Sequence, residues 1–224
     1  MIKILATIIG VLVVVFGAFF LYSQSSMQAN VPTASTTPLA TLASSTAPAA
    51  PAIVSTATTT SNQNIMSATL ETSMGDIAIE FYPAEAPKTV ANFIKLAESG
   101  YYDGTKFHRV IKGFMDQGGD PLTKDDSQMA AWGTGGPGYT IPDEISPNLT
   151  NVAGTMAMAN TGAPNTGGSQ FFINAVDNPS LNGGYTIFGK VTAGMDVVTA
   201  INNVPTDSSD RPLTPVVLKS ITLN

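Results

Sequence analysis

The chain has no cysteine, one histidine, one tryptophan and little charge, with Asp, Glu, Lys and Arg making up 12% of its 224 residues. Each shortage closes off a class of function. Without cysteine there are no disulfides, no thiolate nucleophile and no cysteine-ligated zinc. His108 is the sole imidazole, so any Ser-His-Asp relay would have to pass through it. Its place inside a strand-like run suits packing or hydrogen bonding instead. From residue 65 onward, nine basic residues stand against all sixteen acidic ones, a net charge of −7. Nucleic acid is excluded as a partner, because its footprint needs clustered Lys and Arg.

Charge is missing altogether from two N-terminal stretches. Ile4 to Tyr22 are 19 uncharged, mostly apolar residues, preceded only by Met1, Ile2 and Lys3. As a helix they would span about 28 Å, close to the hydrocarbon thickness of a bilayer. Residues 1–22 therefore read as a signal anchor or transmembrane helix, with Lys3 on the cytoplasmic side and the remainder outside the cytoplasm. Ser23-Gln24-Ser25 is a poor match to a cleavage site; cleavage there would instead give a secreted or periplasmic protein. Residues 23–64 carry no charge, and 30 of these 42 are Ser, Thr, Ala or Pro. That composition cannot bury a core and reads as a disordered linker. The domain is left to residues 65–224.

Within it, Ala68, Leu70 and Thr72 alternate, as do Ile77, Ile79 and Phe81, with Ser73-Met74-Gly75-Asp76 between them. This pattern predicts a β-hairpin. Pro87 suits a first helical position, Val90, Phe93, Ile94 and Ala97 recur at helical spacing, and Gly100 supplies a stop, which predicts a helix over 87–99. Short strands are expected at 106–110, 155–159, 169–173, 186–191 and 216–223, with a second helix over 195–202. Many short strands, Gly- and Pro-rich turns and two helices favour a barrel or sandwich over a parallel α/β sheet.

Two motifs carry the functional reading: FHRVIKGFMDQGGD at 107–120 and MANTGAPNTGGSQFFI at 158–173. With Phe188-Gly189-Lys190-Val191 following in order, the domain resembles the cyclophilins, a family of peptidyl-prolyl cis/trans isomerases. The similarity runs from about Ser67 to Thr222, and WGTGGPGYTIPDE at 132–144 is similar to bacterial members. The resemblance implies a mainly β fold, a closed eight-stranded antiparallel barrel capped by two helices. It implies Arg109 as the catalytic residue, with Phe114, Met115, Phe172 and Leu181 lining a proline pocket. Gln117, Ala159, Asn160 and Gln170 would follow the peptide groove, Tyr185 stands where many members have His, and Phe107 would support the site. Neither cofactor nor metal is implied. The partners would be proline-containing polypeptides bound by a monomer, and a non-catalytic peptide-holding module is the alternative.

The chain also departs from the family pattern. Ser180 replaces a Trp that ordinarily helps to hold cyclosporin, the turn at 161–164 is one residue longer, and 121–131 is a small insertion. Other motifs lead nowhere. Gly133-Thr-Gly135-Gly-Pro-Gly138 satisfies G-x-G-x-x-G, but Pro142 and the absence of a following Lys-Ser/Thr pair rule out a phosphate loop. Gly167-Gly168-Ser169 lacks the final Gly of a nucleophile elbow, since Phe171 stands there. Asp120, Asp125 and Asp126 do not have EF-hand spacing and read as a solvated acidic loop. Asn148-Leu149-Thr150 is a glycosylation sequon, meaningful only in a host with that machinery.

Overall fold

The structure, a computed structural model, describes residues 66–224. The anchor and linker expected over residues 1–64 lie outside the described residues. Among those described, no helix is long and apolar enough to cross a membrane.

Strands β1 (Ser67–Thr72) and β2 (Gly75–Phe81) pair antiparallel, with Thr72 opposite Gly75, so the hairpin turns on Ser73 and Met74 alone. Period-2 alternation sends Ala68, Leu70, Ile77, Ile79 and Phe81 inward, all of them buried. Helix α1 (Pro87–Glu98) starts on proline and ends just before Gly100, whose φ of +67° favours glycine. Then come β3 (Thr105–Lys106), β4 (Arg109–Ile111), β5 (Met115–Gly118), β6 (Thr155–Met158), β7 (Phe171–Asn174), β8 (Ile187–Ala193), α2 (Met195–Asn202) and β9 (Val217–Leu223). The insertion forms two 3-10 turns, Pro121–Lys124 and Asp126–Ala131.

All nine described strands belong to one antiparallel sheet in the order β3-β9-β1-β2-β8-β6-β7-β5-β4. This corrects the expected closed barrel of eight strands. The single strand expected at 106–110 is split: β3 pairs with β9, whereas β4 pairs with β5. These are the two ends of the sheet, and only Phe107 and His108 separate them in the chain. The sheet must therefore curl until its edges meet, but no strand ladder closes the seam. Instead the Phe107 and Val110 amides donate to the carbonyls of Val216 and Asp210, at 3.0 and 2.8 Å. Register shifts in β1, β2 and β6 mark bulges of the kind that bend a sheet.

The interior centres on Phe93 of α1, whose ring lies 4.9–5.7 Å from those of Phe81, Tyr102, Phe171 and Phe188. Helix α2 packs against β2, β4 and β5. The N-terminus of α1 has no capping side chain of its own, since Ala86 occupies the cap. Glu144 supplies one from 55 residues away, accepting from the Lys88 and Thr89 amides at 3.0 and 2.8 Å and from the Thr89 hydroxyl at 2.9 Å. A carboxylate there satisfies orphan donors and faces the positive end of the helix dipole. Glu144→Ala should lower the unfolding free energy by about 1–2 kcal/mol, measured by urea denaturation. A loss below about 0.3 kcal/mol would mean that solvent caps α1 equally well.

Candidate active site

Strands β6 and β7 are buried on both faces, and alternate residues serve different clusters. Met156, Met158, Phe171 and Ile173 join the main core, whereas Ala157 and Phe172 join a second apolar cluster with Met115 and Ile187. Above this second cluster lies a cavity of about 110 Å3 lined by Arg109, Phe114, Met115, Gln117, Ala159, Asn160, Phe172, Leu181 and Tyr185. Three segments distant in sequence thus meet: the β4–β5 hairpin, the β6–β7 pair, and the turn from 179 to 185. Tyr185 stands edge-on to Phe172, with centroids 5.3 Å apart at 88°. Asn160 is tied down at both ends, donating to the Gly184 carbonyl and accepting from the Gly162 amide, each at 2.9 Å.

Two of the residues singled out in the sequence do not line this cavity. Gln170 stands one contact behind it: its Nε2 donates to the Gly133 and Gly135 carbonyls, at 3.0 and 2.8 Å, and its Oε1 accepts from Gln117 Nε2 at 2.9 Å. This fixes which end of each amide faces which partner. Phe107 is a correction. It is 1% exposed and packs edge-on against Phe171 in the main core, because two consecutive residues turn inward at the seam between β3 and β4. Its support for the site is that of a core residue.

The glycine-rich loop is held by Asp120, which is also not the solvated acid expected. Fully buried, its carboxylate accepts from the amides of Leu122, Gly133 and Gly135. Gly135 has to be glycine, since a Cβ there would sit 2.1 Å from Asp120 Oδ1. Asp125 caps the second 3-10 turn through the Ser127 amide, and Asp126 pairs with Lys106. Lys106 also lies over the Trp132 ring, 4.9 Å from its centroid, so the insertion folds back onto the domain.

Arg109 projects from β4 with its side chain 44% exposed, the one cation on the cavity wall among the described residues. Its Nε is 3.6 Å from Asp210 Oδ2, a neighbour that the sequence did not suggest. His108, beside it, points inward and is buried. Burial lowers its pKa, with Asp120 and the Lys106 backbone pulling the other way, a shift that favours the neutral ring.

Behind the cavity, Asp116 of β5 faces α2. It is 1% exposed, with Oδ1 accepting from Asn202 Nδ2 at 2.8 Å and Oδ2 unpartnered among the described residues. Asn202 also donates to the Ile111 carbonyl and accepts from the Gly113 amide, so α2 clamps the hairpin that carries Phe114.

Residues 67–223 match the family model described as cyclophilin type peptidyl-prolyl cis-trans isomerase/CLD. The chain is 48% identical over 160 residues to peptidyl-prolyl cis-trans isomerase CYP18-1 of Arabidopsis thaliana, covering 71% of this chain and 96% of that one. It is 50% identical over 153 residues to peptidyl-prolyl cis-trans isomerase-like 1 of Neurospora crassa, covering 66% and 87%. Among solved structures, a cyclophilin type peptidyl-prolyl cis-trans isomerase of Cryptosporidium parvum superposes with a TM-score of 0.65 at 39% identity, over 71% of this chain and 97% of that one. A second structure of that protein was determined in the presence of the dipeptide Ala-Pro. The chain belongs to the cyclophilin-type peptidyl-prolyl isomerase family.

Asp116 makes stability pH-dependent. Burial raises its pKa to about 7, against the opposing hydrogen bond from Asn202. A raised pKa means that the folded state holds this proton more tightly than the unfolded one. The stabilisation from the protonated form is therefore complete below about pH 4 and is lost as pH rises through about 7. His108 has the opposite sign, but it is common to both chains when Asp116→Asn is compared with wild type. The advantage of the variant should grow by about 4 kcal/mol between pH 4 and 8. Parallel urea curves across that range would show Asp116 to be solvated.

Proposed function

We propose that the cavity binds proline in an extended peptide and that Arg109 catalyses rotation about the preceding bond. A peptide bond resists rotation by about 18–20 kcal/mol because the nitrogen lone pair is delocalised into the carbonyl. At the twisted transition state the pair localises on the prolyl nitrogen, which then accepts a hydrogen bond. A donor held there acts on the transition state and not on the planar ground states. Arg suits the task, being charged at any working pH and presenting a rigid fork of donors. The observation that carries this reading is a half-exposed guanidinium on the wall of a cavity whose apolar side is formed by Phe114, Met115, Phe172 and Leu181.

One charge-assisted hydrogen bond contributes about 1.5–3 kcal/mol, roughly 10–200-fold in rate. The remaining acceleration comes from gripping the ring in an apolar pocket and from groove contacts through Gln117, Ala159 and Asn160. Gln170 acts by orienting Gln117, because its own amide is committed to the glycine-rich loop. The small size of the cavity favours one five-membered ring. The solved relative's preparation with Ala-Pro supports the same ligand chemistry.

For the whole chain, we propose an isomerase tethered by residues 1–22 through the uncharged segment 23–64, acting outside the cytoplasm on exported polypeptides as a monomer. The apolar run with Lys3 at its start supports the tether, and the segment at 132–144 supports placement among bacterial members.

Isomerisation of a short Xaa-Pro peptide by the full chain, followed by exchange NMR, tests the catalytic reading. Wild type should accelerate exchange, and Arg109→Ala should lose about 10–200-fold of that acceleration while still binding peptide. A wild-type chain that binds the peptide without speeding exchange is instead a peptide-holding module.

A further inference from the structure

We propose that Asp210 is a positioning residue for Arg109, and that the loop from Pro205 to Leu213 exists in its present form to hold that carboxylate in place. The inference rests on the isomerase reading above, and adds to it a group outside the cavity and about a hundred residues along the chain.

Four observations converge on it. First, Asp210 has a φ of +61°, a left-handed conformation that is uncommon for any residue but glycine and is best tolerated by Asn and Asp. Glycine would meet the backbone requirement more cheaply, so an aspartate here points to a use for its carboxylate. Second, the turn is built to impose this conformation. The Asp207 carboxylate accepts from the Ser209 and Arg211 amides at 2.8 and 3.0 Å, and these bonds lower its pKa. The Asp210 amide donates to the Asp207 carbonyl at 3.1 Å, and the Leu213 amide closes the loop on the Pro205 carbonyl at 2.9 Å. Third, the Asp210 carbonyl accepts from the Val110 amide at 2.8 Å, fastening the loop to β4 one residue from Arg109. The spacing of the two side chains is thus set by backbone and does not depend on their mutual attraction.

Fourth, the carboxylate meets the guanidinium at its stem: Oδ2 lies 3.6 Å from Nε. A charge held there restrains rotation of the planar group and leaves the two terminal amino groups, with four N–H donors, uncommitted to Asp210. Both side chains are 44% exposed, so solvent screens the pair and its contribution to folding is small. Its effect lies in orientation, which matters when a donor has to meet a lone pair that exists only at the transition state.

Asp210→Asn is the informative variant, because asparagine tolerates the left-handed conformation, keeps the shape and removes the charge. Two readouts apply to the full chain. In 15N relaxation, the Arg109 Nε–H vector, assigned by its loss in Arg109→Lys, should be ordered in wild type and fall below an order parameter of about 0.6 in Asp210→Asn. In peptide exchange, kcat should fall about fivefold, the upper end for a half-exposed charge contact, with KM within about twofold. In about 1 M salt, where the screening length is roughly 3 Å, the wild-type rate should move toward that of the variant. In an Arg109→Ala background, Asp210→Asn should change nothing further. An order parameter that does not move overturns the proposal whatever the activity, as does an unchanged or higher kcat in an active enzyme. A wild-type chain with no activity removes the isomerase reading instead, and leaves the relaxation result to decide whether Asp210 holds Arg109.

Discussion

Everything in this domain hangs on a corner of two residues. Phe107 and His108 are both buried, and they join the two edges of one curled sheet. Strict strand alternation would turn one of them outward. Because both go in, the chain changes partner between Lys106 and Arg109, and the next side chain, Arg109, is delivered to the surface. The seam is closed by hydrogen bonds from the Val110 and Phe107 amides to the carbonyls of Asp210 and Val216, in the segment leading into β9. Closing the sheet and placing the guanidinium are therefore one structural event. His108 is the cost of that event: an imidazole taken out of water, with burial lowering its pKa.

Around this corner the polar groups are arranged in series. Asp120 fixes the glycine-rich loop through backbone amides, the loop carbonyls fix Gln170, and Gln170 fixes Gln117 at the cavity. Each member of the series is satisfied by the one behind it. Each link narrows the orientations open to the next, from a buried carboxylate out to a half-exposed amide at the cavity. The sequence G-x-G-x-x-G, empty as a phosphate motif, is here a loop whose glycines let backbone approach a buried carboxylate. The same principle governs the turn at Asp207, where a carboxylate organises amides close to it in the chain.

What could be read from the sequence was what is local. The β1–β2 hairpin follows from alternation, and α1 from Pro87, its apolar spacing and Gly100; their ends, and those of α2, fall within a residue or two of expectation. The cavity-lining residues came from family resemblance, since Phe114, Met115 and Phe172 have nothing in their spacing to separate a cleft wall from a core. Long-range features were not legible. The split of the strand at 106–110 depends on β5 and β9 competing for its two halves. The Glu144 cap depends on a loop 55 residues from the helix it serves. Asp120 looked solvated beside Asp125 and Asp126, yet it is fully buried, because its partners are amides, which composition cannot reveal. Asp116 gave no signal either: an acid between Met115 and Gln117 looks like any alternating strand residue until α2 is placed over it.

The two-faced burial of β6 and β7 has a consequence for how this protein can change over time. Phe171 and Ile173 hold the interior together, while Phe172, between them, shapes what the cavity admits. Neighbouring positions thus carry separate physical duties, one in holding the interior together and one in bounding the cavity. A substitution at the middle member of such a triplet can reshape the cavity while the outer two keep the core packed. The short strand acts as a hinge between inheritance and invention, one residue wide.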